Sequence, residues 1–268
     1  MFPVLFQIGP IIVYSLWLFV GLAFILGVFI FSYLAKSKRL NLNFIYKYTF
    51  QIFIFGLIGA RLLFVIRHFG IYFQDFSVDT VINILAIWDK GLSLLGALIG
   101  IGLSILIYSL KDKEQTLKWL DTLTIATISG LAIGHIGAFL DGVNYGIPTN
   151  LFWGVTFDNP SIKYAVDIHP TQIYAFIYSA VIAGVLVYLH RKRKIEKGKI
   201  MLYGLLSYFS LVFLEGFLRG DDVIVLLSLR EEQWFALLII LITGGFMIYR
   251  YNKSRSSKKL TLENHGNI

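Results

Sequence analysis

Long apolar runs alternate along the chain with short polar joints, most of them basic. Seven runs of roughly 20 residues, the length that crosses a hydrocarbon core, fall at about 11–35, 43–66, 91–110, 119–140, 171–190, 200–218 and 233–250. The pattern predicts an all-α integral membrane protein of seven transmembrane helices. The third and fourth runs are glycine-rich, which blurs their edges. These runs fill the length as a single membrane domain over 1–251, with no room for a separate soluble domain. The tail over 252–268, ending SRSSKKLTLENHGNI, is polar and reads as chain without regular structure.

The joints set the orientation. Lys36, Lys38, Arg39 and Lys47 follow the first run, and Lys111, Lys113 and Lys118 separate the third from the fourth. Arg191 to Lys194, Lys197 and Lys199 separate the fifth from the sixth, and Arg250, Lys253, Arg255, Lys258 and Lys259 follow the seventh. Eighteen of the 24 basic residues thus sit on alternate joints, and the other joints hold only Arg67, Lys90, Lys163, Arg219 and Arg230. By the positive-inside rule the N-terminus lies outside and the C-terminus in the cytoplasm. The chemically richer joints, 67–90, 141–170 and 219–232, then face outward, and YFQDFSVDTVINILAIWDK reads as an interfacial segment.

Composition changes the picture in two places. The net charge of +8 is explained by juxtamembrane residues, so no nucleic-acid partner is expected. The absence of cysteine excludes disulfides, thiolate metal sites and a cysteine nucleophile, so any thiol in the chemistry belongs to a substrate. The opening MFPVLFQIGPIIVYSLWLF lacks a basic n-region and reads as a retained first span. HExxH, GxSxG and phosphate-binding glycine loops do not occur, and neither a metal nor a cofactor is expected.

A few polar residues inside or at the ends of the runs need a reason. Arg61 lies near the outer end of the second run, where it either snorkels to the interface or holds an anion such as a lipid phosphate. Ala126, Gly130, Gly134 and Ala138 make a small-residue stripe on the fourth run, with Gly96 and Gly100 a matching stripe on the third. Asp141 continues the stripe to its outer end, and His135 lies about 100° round the helix from Gly134. His135 is either an interhelical packing group or a catalyst. At DIHPTQIYAF, His169 or Thr171 caps a new helix, or His169, Gln172 and Tyr174 line a polar cavity. Glu215 and Arg219 stand four apart in FLEGFLRGDD, as an intrahelical pair or as a site carboxylate beside a phosphate-binding arginine.

Taken in order, GARLLFVI, IWDKGLSLLGALIG, GHIGAFLDGVNYGIPTNLFWGVTF, HPTQIYA and FLEGFLRGDD followed by LSLREEQW resemble the bacterial phosphatidylglycerol–prolipoprotein diacylglyceryl transferases. The resemblance implies a multi-pass protein of the bacterial cytoplasmic membrane with its site on the extracytoplasmic side. It implies transfer of the diacylglyceryl group of phosphatidylglycerol to the lipobox cysteine of a prolipoprotein signal peptide, among membrane lipids. It also implies roles for the residues it keeps, Arg61, His169, Gln172, Tyr174 and Arg219 in substrate binding and Glu215 in catalysis, and on a transferase reading His135 and Asp141 are the further catalytic candidates at the reacting centre. The chain departs from the family pattern where His135 replaces arginine, Ala138 asparagine, Val143 glutamate, Leu95 histidine and Ala175 the final glutamate of the HPxQLYE box. Those departures keep open a second reading, a paralogue that binds phospholipid or lipoprotein without transfer.

Overall fold

A computed structural model of the chain describes residues 3–73, 77–87, 91–157, 162–192 and 195–265. Lys90, Arg193 and Lys194 of the basic pattern, most of IWDK, and positions 74–76 of the interfacial segment lie outside them. Each of the seven apolar runs forms a helix. They are α1 (Ser15–Ser37), α2 (Leu42–Arg67), α5 (Leu94–Lys111), α6 (Thr116–Asp141), α7 (Thr171–Arg191), α8 (Lys199–Glu215) and α9 (Glu231–His265), with the shorter α3 (Phe69–Tyr72) and α4 (Val78–Leu85) between α2 and α5. Six of them, all but α8 among the seven, are long and apolar enough to cross a membrane, so the chain is an integral membrane protein.

The boundaries differ from the sequence reading in three places. The first run opens as a two-stranded antiparallel ribbon, β1 (Val4–Ile8) and β2 (Ile11–Tyr14), before α1 begins. Gly9-Pro10 turns the chain there, and Ile11, Ile12 and Val13 are β-branched. The sixth run stops being helical at Glu215, and the chain closes in a tighter turn, with Phe217 N–H on the Leu214 carbonyl and Leu218 N–H on the Glu215 carbonyl. With 17 residues, α8 is about 25 Å long against a hydrocarbon core of about 30 Å. At the other end α9 runs on to His265, through the tail that the polar composition suggested would lack regular structure. A second small ribbon, β3 (Val225–Leu226) with β4 (Leu229–Arg230), joins α8 to α9.

The helices group into two compact units, Ser32–Leu123 and a larger one made of Met1–Phe31 with Thr124–Ile268. In the unit Ser32–Leu123, the stripe on the third run packs against α2. A Cβ on Gly96 would strike the Gly59 carbonyl, and one on Gly100 the Phe55 carbonyl, so backbone meets backbone without side chains between. Beyond the crossing, Asp112 at the end of α5 takes bonds from Lys47 Nζ at 2.7 Å and Tyr48 OH at 3.0 Å. The Lys47 bond holds the Asp112 carboxyl below its ordinary range.

In the larger unit the stripe on α6 meets α1. Gly130 lies against the Ala23 carbonyl and Gly137 against the Phe19 side chain, whereas a Cβ on Gly134 would enter open space. The seam therefore follows Ala126, Gly130 and Gly137, one helical face at i, i+4 and i+11, and leaves Gly134 beside it.

Candidate functional site

The end of α6 and the loop after it form the frame of the site. Gly142, at φ +83°, ends the helix in the left-handed conformation that glycine adopts without strain, and Val143 N–H returns to the Ala138 carbonyl at 3.2 Å. The chain then runs between two other segments. Gly146 N–H donates to the His169 carbonyl, His169 N–H to Ile147, Ile147 N–H to Leu218, and Gly220 N–H to Tyr145. Residues 145–147 are thus stitched to His169 on one side and to 218–220 on the other. A Cβ on Gly146 would strike the His169 carbonyl, so only glycine lets the segments approach this closely. Tyr145, Phe157 and Ile168 form the apolar core beneath, with Phe139, Val155, Ile162 and Tyr164 packed on it.

The first turn of α7 grips the same loop. Pro170 is at the N-cap with no side-chain cap bond, so neither His169 nor Thr171 caps the helix as the sequence suggested. Thr171 Oγ1 donates instead to the Asn144 carbonyl at 2.6 Å, and Gln172 Nε2 to the Val143 carbonyl at 2.7 Å. Gln172 is 1% exposed, and its Oε1 is buried without a hydrogen-bond partner among the described residues. Tyr174 OH lies 3.1 Å from His169 Nδ1 and accepts from Trp153 Nε1 at 2.7 Å. The Tyr174 hydroxyl thus links the Trp153 indole to the His169 ring.

Arg219 lies past the end of α8, and the expected pair with Glu215 is not formed, because the helix ends between them. Arg219 Nε and Nη2 each bind Asp221 at 2.7 Å, and Nη2 also donates to Asn144 Oδ1 at 2.9 Å and lies 3.6 Å from Glu232. Arg230 Nη2 reaches Asp221 Oδ1 at 2.9 Å, and its Nη1 donates to the Asp221 carbonyl at 3.0 Å. Burial works to raise the Asp221 carboxyl, but the Arg219 bond and the two guanidinium charges outweigh it and hold the group below its ordinary range. Every bond of Arg219 named here uses Nε or Nη2, and none uses Nη1.

Glu215, at the end of α8, accepts from Tyr178 OH at 2.7 Å. The Tyr178 ring is edge-on to His135, with centroids 6.4 Å apart, and the buried His135 Nε2 has no hydrogen-bond partner among the described residues. Asp141 is the last, half-buried residue of α6. The larger unit therefore brings His135, Glu215 and Tyr178 together, and joins Arg219 to His169 and Gln172 through the 143–147 segment.

Arg61 belongs to the other unit. It is 5% exposed, and its guanidinium donates to the carbonyls of Ile84 at 3.0 Å, Gly91 at 2.9 Å and Asn83, and to Tyr72 OH at 3.3 Å. It gathers α3, α4 and the start of the 91–93 segment around one cation.

Sequence reasoning passed over Tyr178, Asn144, Trp153, Asp221, Arg230 and Glu232. Tyr178 had a signal, since a tyrosine within an apolar span must satisfy its hydroxyl. Asp221 follows Arg219 by two residues, but nothing local marks Asn144, whose side chain meets Arg219 across 75 positions of sequence.

The family described as prolipoprotein diacylglyceryl transferase matches residues 3–249. A phosphatidylglycerol–prolipoprotein diacylglyceryl transferase of Clostridium tetani is 29% identical over 94% of this chain and 98% of its own length. One from Synechocystis is 30% identical over 93% and 89%, and one from Finegoldia magna 31% identical over 87% and 89%. The match runs through the α6 end, the 142–170 loop, α7 and the 215–232 segment in one continuous stretch, and the chain belongs to the prolipoprotein diacylglyceryl transferase family.

Proposed function

We propose that this chain is the transferase its family membership implies: it moves the diacylglyceryl group of phosphatidylglycerol to a prolipoprotein in lipoprotein biogenesis, as a multi-pass protein of the cell membrane. In the finer form of the proposal, the acceptor is the lipobox cysteine of the signal peptide. Its sulfur forms a thioether bond to the glyceryl carbon as the carbon–oxygen bond to phosphate breaks and glycerol phosphate leaves. We further assign seven spans, with α8 as the sixth, an outside N-terminus, a cytoplasmic C-terminus and a site on the extracytoplasmic side. The alternation of basic joints supports that orientation.

The observation that carries the chemistry is the Arg219 guanidinium. Asp221 and Asn144 lock it through one edge, and Nη1 remains for an oxyanion. A cation fixed beforehand stabilises the departing phosphate without reorganising as charge develops. His135 is assigned the thiol proton, because its Nε2 is a buried ring nitrogen without a partner; a cysteine thiol near its usual pKa of about 8.5 needs such help at neutral pH. Glu215, with its oxygen fixed by Tyr178, and Asp141 at the helix end are assigned to the same reacting region. His169 offers its Nε2 edge, Gln172 offers Oε1, and Tyr174 fixes the His169 ring. Arg61 is assigned to substrate binding within its own unit, and a variant there tests that role separately.

Purified protein is incubated with phosphatidylglycerol and a lipobox peptide, and the thioether product is measured. Product that forms with the wild type and is lost in Arg219→Ala supports transfer. His135, Ala138 and Val143 favour the second reading, binding without transfer. Retained phosphatidylglycerol binding with no product in the wild type would establish that reading in place of the first.

A further inference from the structure

Beside the catalytic cluster, the 151–155 segment and the first turns of α7 enclose a groove of about 520 Å³, lined by Trp153, Val155, Pro170, Ile173, Tyr174 and Ile177. Its two polar atoms already satisfy each other, since Trp153 Nε1 donates to Tyr174 OH at 2.7 Å. What the groove offers an occupant is therefore hydrocarbon surface. A peptide laid there would have to bury backbone N–H and C=O groups against a wall with nothing to pair them, at a cost of several kcal/mol each in an apolar medium. A hydrocarbon chain needs no partner.

The groove is also not an isolated hollow. Ile177 belongs both to it and to an exposed row on α7 that continues through Val181, Val185 and Tyr188, positions i, i+4, i+8 and i+11 of one helical face. That helix is among those apolar and long enough to cross the membrane, so the row is a lipid-facing surface and the groove is its N-terminal end. Phe152 is 94% exposed at the tip of the turn and stands edge-on to Trp153, with centroids 4.6 Å apart. Paired Trp and Tyr rings above an apolar face are the arrangement that membrane–water boundaries favour.

We infer that this groove holds one acyl chain of a surrounding bilayer phospholipid, with Phe152 and Trp153 seated in the same leaflet. The chain continues the α7 row, and its ester end comes to the Trp153–Tyr174–His169 hydrogen-bonded series. The groove selects hydrocarbon and not a headgroup, so the inference holds whether or not the protein catalyses transfer.

Two measurements test it on the full chain in phosphatidylcholine nanodiscs. In the first, the emission of Trp153 is taken as the difference between the wild type and Trp153→Phe, and quenching by acyl-brominated phosphatidylcholine is compared with quenching by aqueous iodide. Most of that emission is expected to be lost to the bromolipid and little to iodide. In the second, which needs no variant, wild-type protein is irradiated with phosphatidylcholine carrying a mid-chain diazirine, and adducts are expected on the 153–177 peptides. Iodide quenching without bromolipid quenching overturns the inference, as do adducts confined to 181–188. Bromolipid quenching that a lipobox peptide abolishes would assign the groove to peptide and overturn it equally.

Discussion

Arg219 grips Asp221 with two parallel hydrogen bonds, Nε to Oδ1 and Nη2 to Oδ2, each 2.7 Å long. The pair is largely buried, and its geometry requires a planar fork. Arg219→Lys keeps the charge but supplies a single point donor, which cannot hold Asp221 and Asn144 and still present a free edge. Transfer activity is expected to fall about 10²-fold in Arg219→Lys, the usual effect of removing one preorganised donor to a developing oxyanion. Thioether formation measures it, and an unfolding temperature close to wild type separates lost chemistry from lost fold.

Asp221 gives that pair a defined pH dependence. Its carboxyl is held below the ordinary value of 3.8, so the ionised form is the one the fold favours. A group depressed in the folded state contributes stability that is fully present above its unfolded value and is lost as pH falls through the folded one. Asp221→Asn is expected to lower stability by about 1–3 kcal/mol at neutral pH by leaving Arg219 and Arg230 without their shared carboxylate. The difference between wild type and Asp221→Asn should stay constant from neutrality down to about pH 5 and shrink below about pH 4. Thermal unfolding in detergent across that range reads it directly; a difference that widened on acidification would contradict the assignment.

The helical frame was legible because apolar length and basic joints are local signals, and α2, α5, α6 and α7 begin and end within a few residues of the runs that predict them. Partners were not legible. The Gly96 and Gly100 stripe announced a close helix crossing, but small residues say that a backbone will approach and not which one, and the approach came from Gly59 and Phe55 on α2. The site was partly legible. His169 and Tyr174 were close in sequence and are joined by a direct hydrogen bond, whereas Asn144 meets Arg219 only through tertiary stitching of 145–147 to 218–220. The Glu215–Arg219 spacing left an intrahelical pair and a site carboxylate open, and the pair needs a helix that stops at Glu215.

The crossing of α2 and α5 yields a test with an internal control. Gly96→Ala places a methyl group into the Gly59 carbonyl, and neither backbone can yield without parting the helices. A loss of about 1–3 kcal/mol is expected, as for overpacked cores. Gly102 is on the same helix with open space where a Cβ would go, so Gly102→Ala should be neutral or slightly stabilising. Unfolding temperatures of the two variants compare them, and an equal loss in both would remove the crossing as the cause.

His135 separates two ways the reaction could run. Its buried Nε2 has no protein partner, and the neighbouring Tyr178 hydroxyl is committed to Glu215. A ring nitrogen placed so acts as the acceptor of the thiol proton, a contribution worth about 10²–10⁴-fold. His135→Gln retains a polar side chain that cannot take that proton, so turnover is expected to fall by at least about 10²-fold while phosphatidylglycerol binding persists. His135→Arg distinguishes base from cation. If position 135 works through a lone pair, arginine abolishes turnover as glutamine does, because a guanidinium has no acceptor. If it works as a second cation beside Arg219, arginine raises the rate above wild type, and the proton must then leave the thiol by way of Glu215 or Asp141.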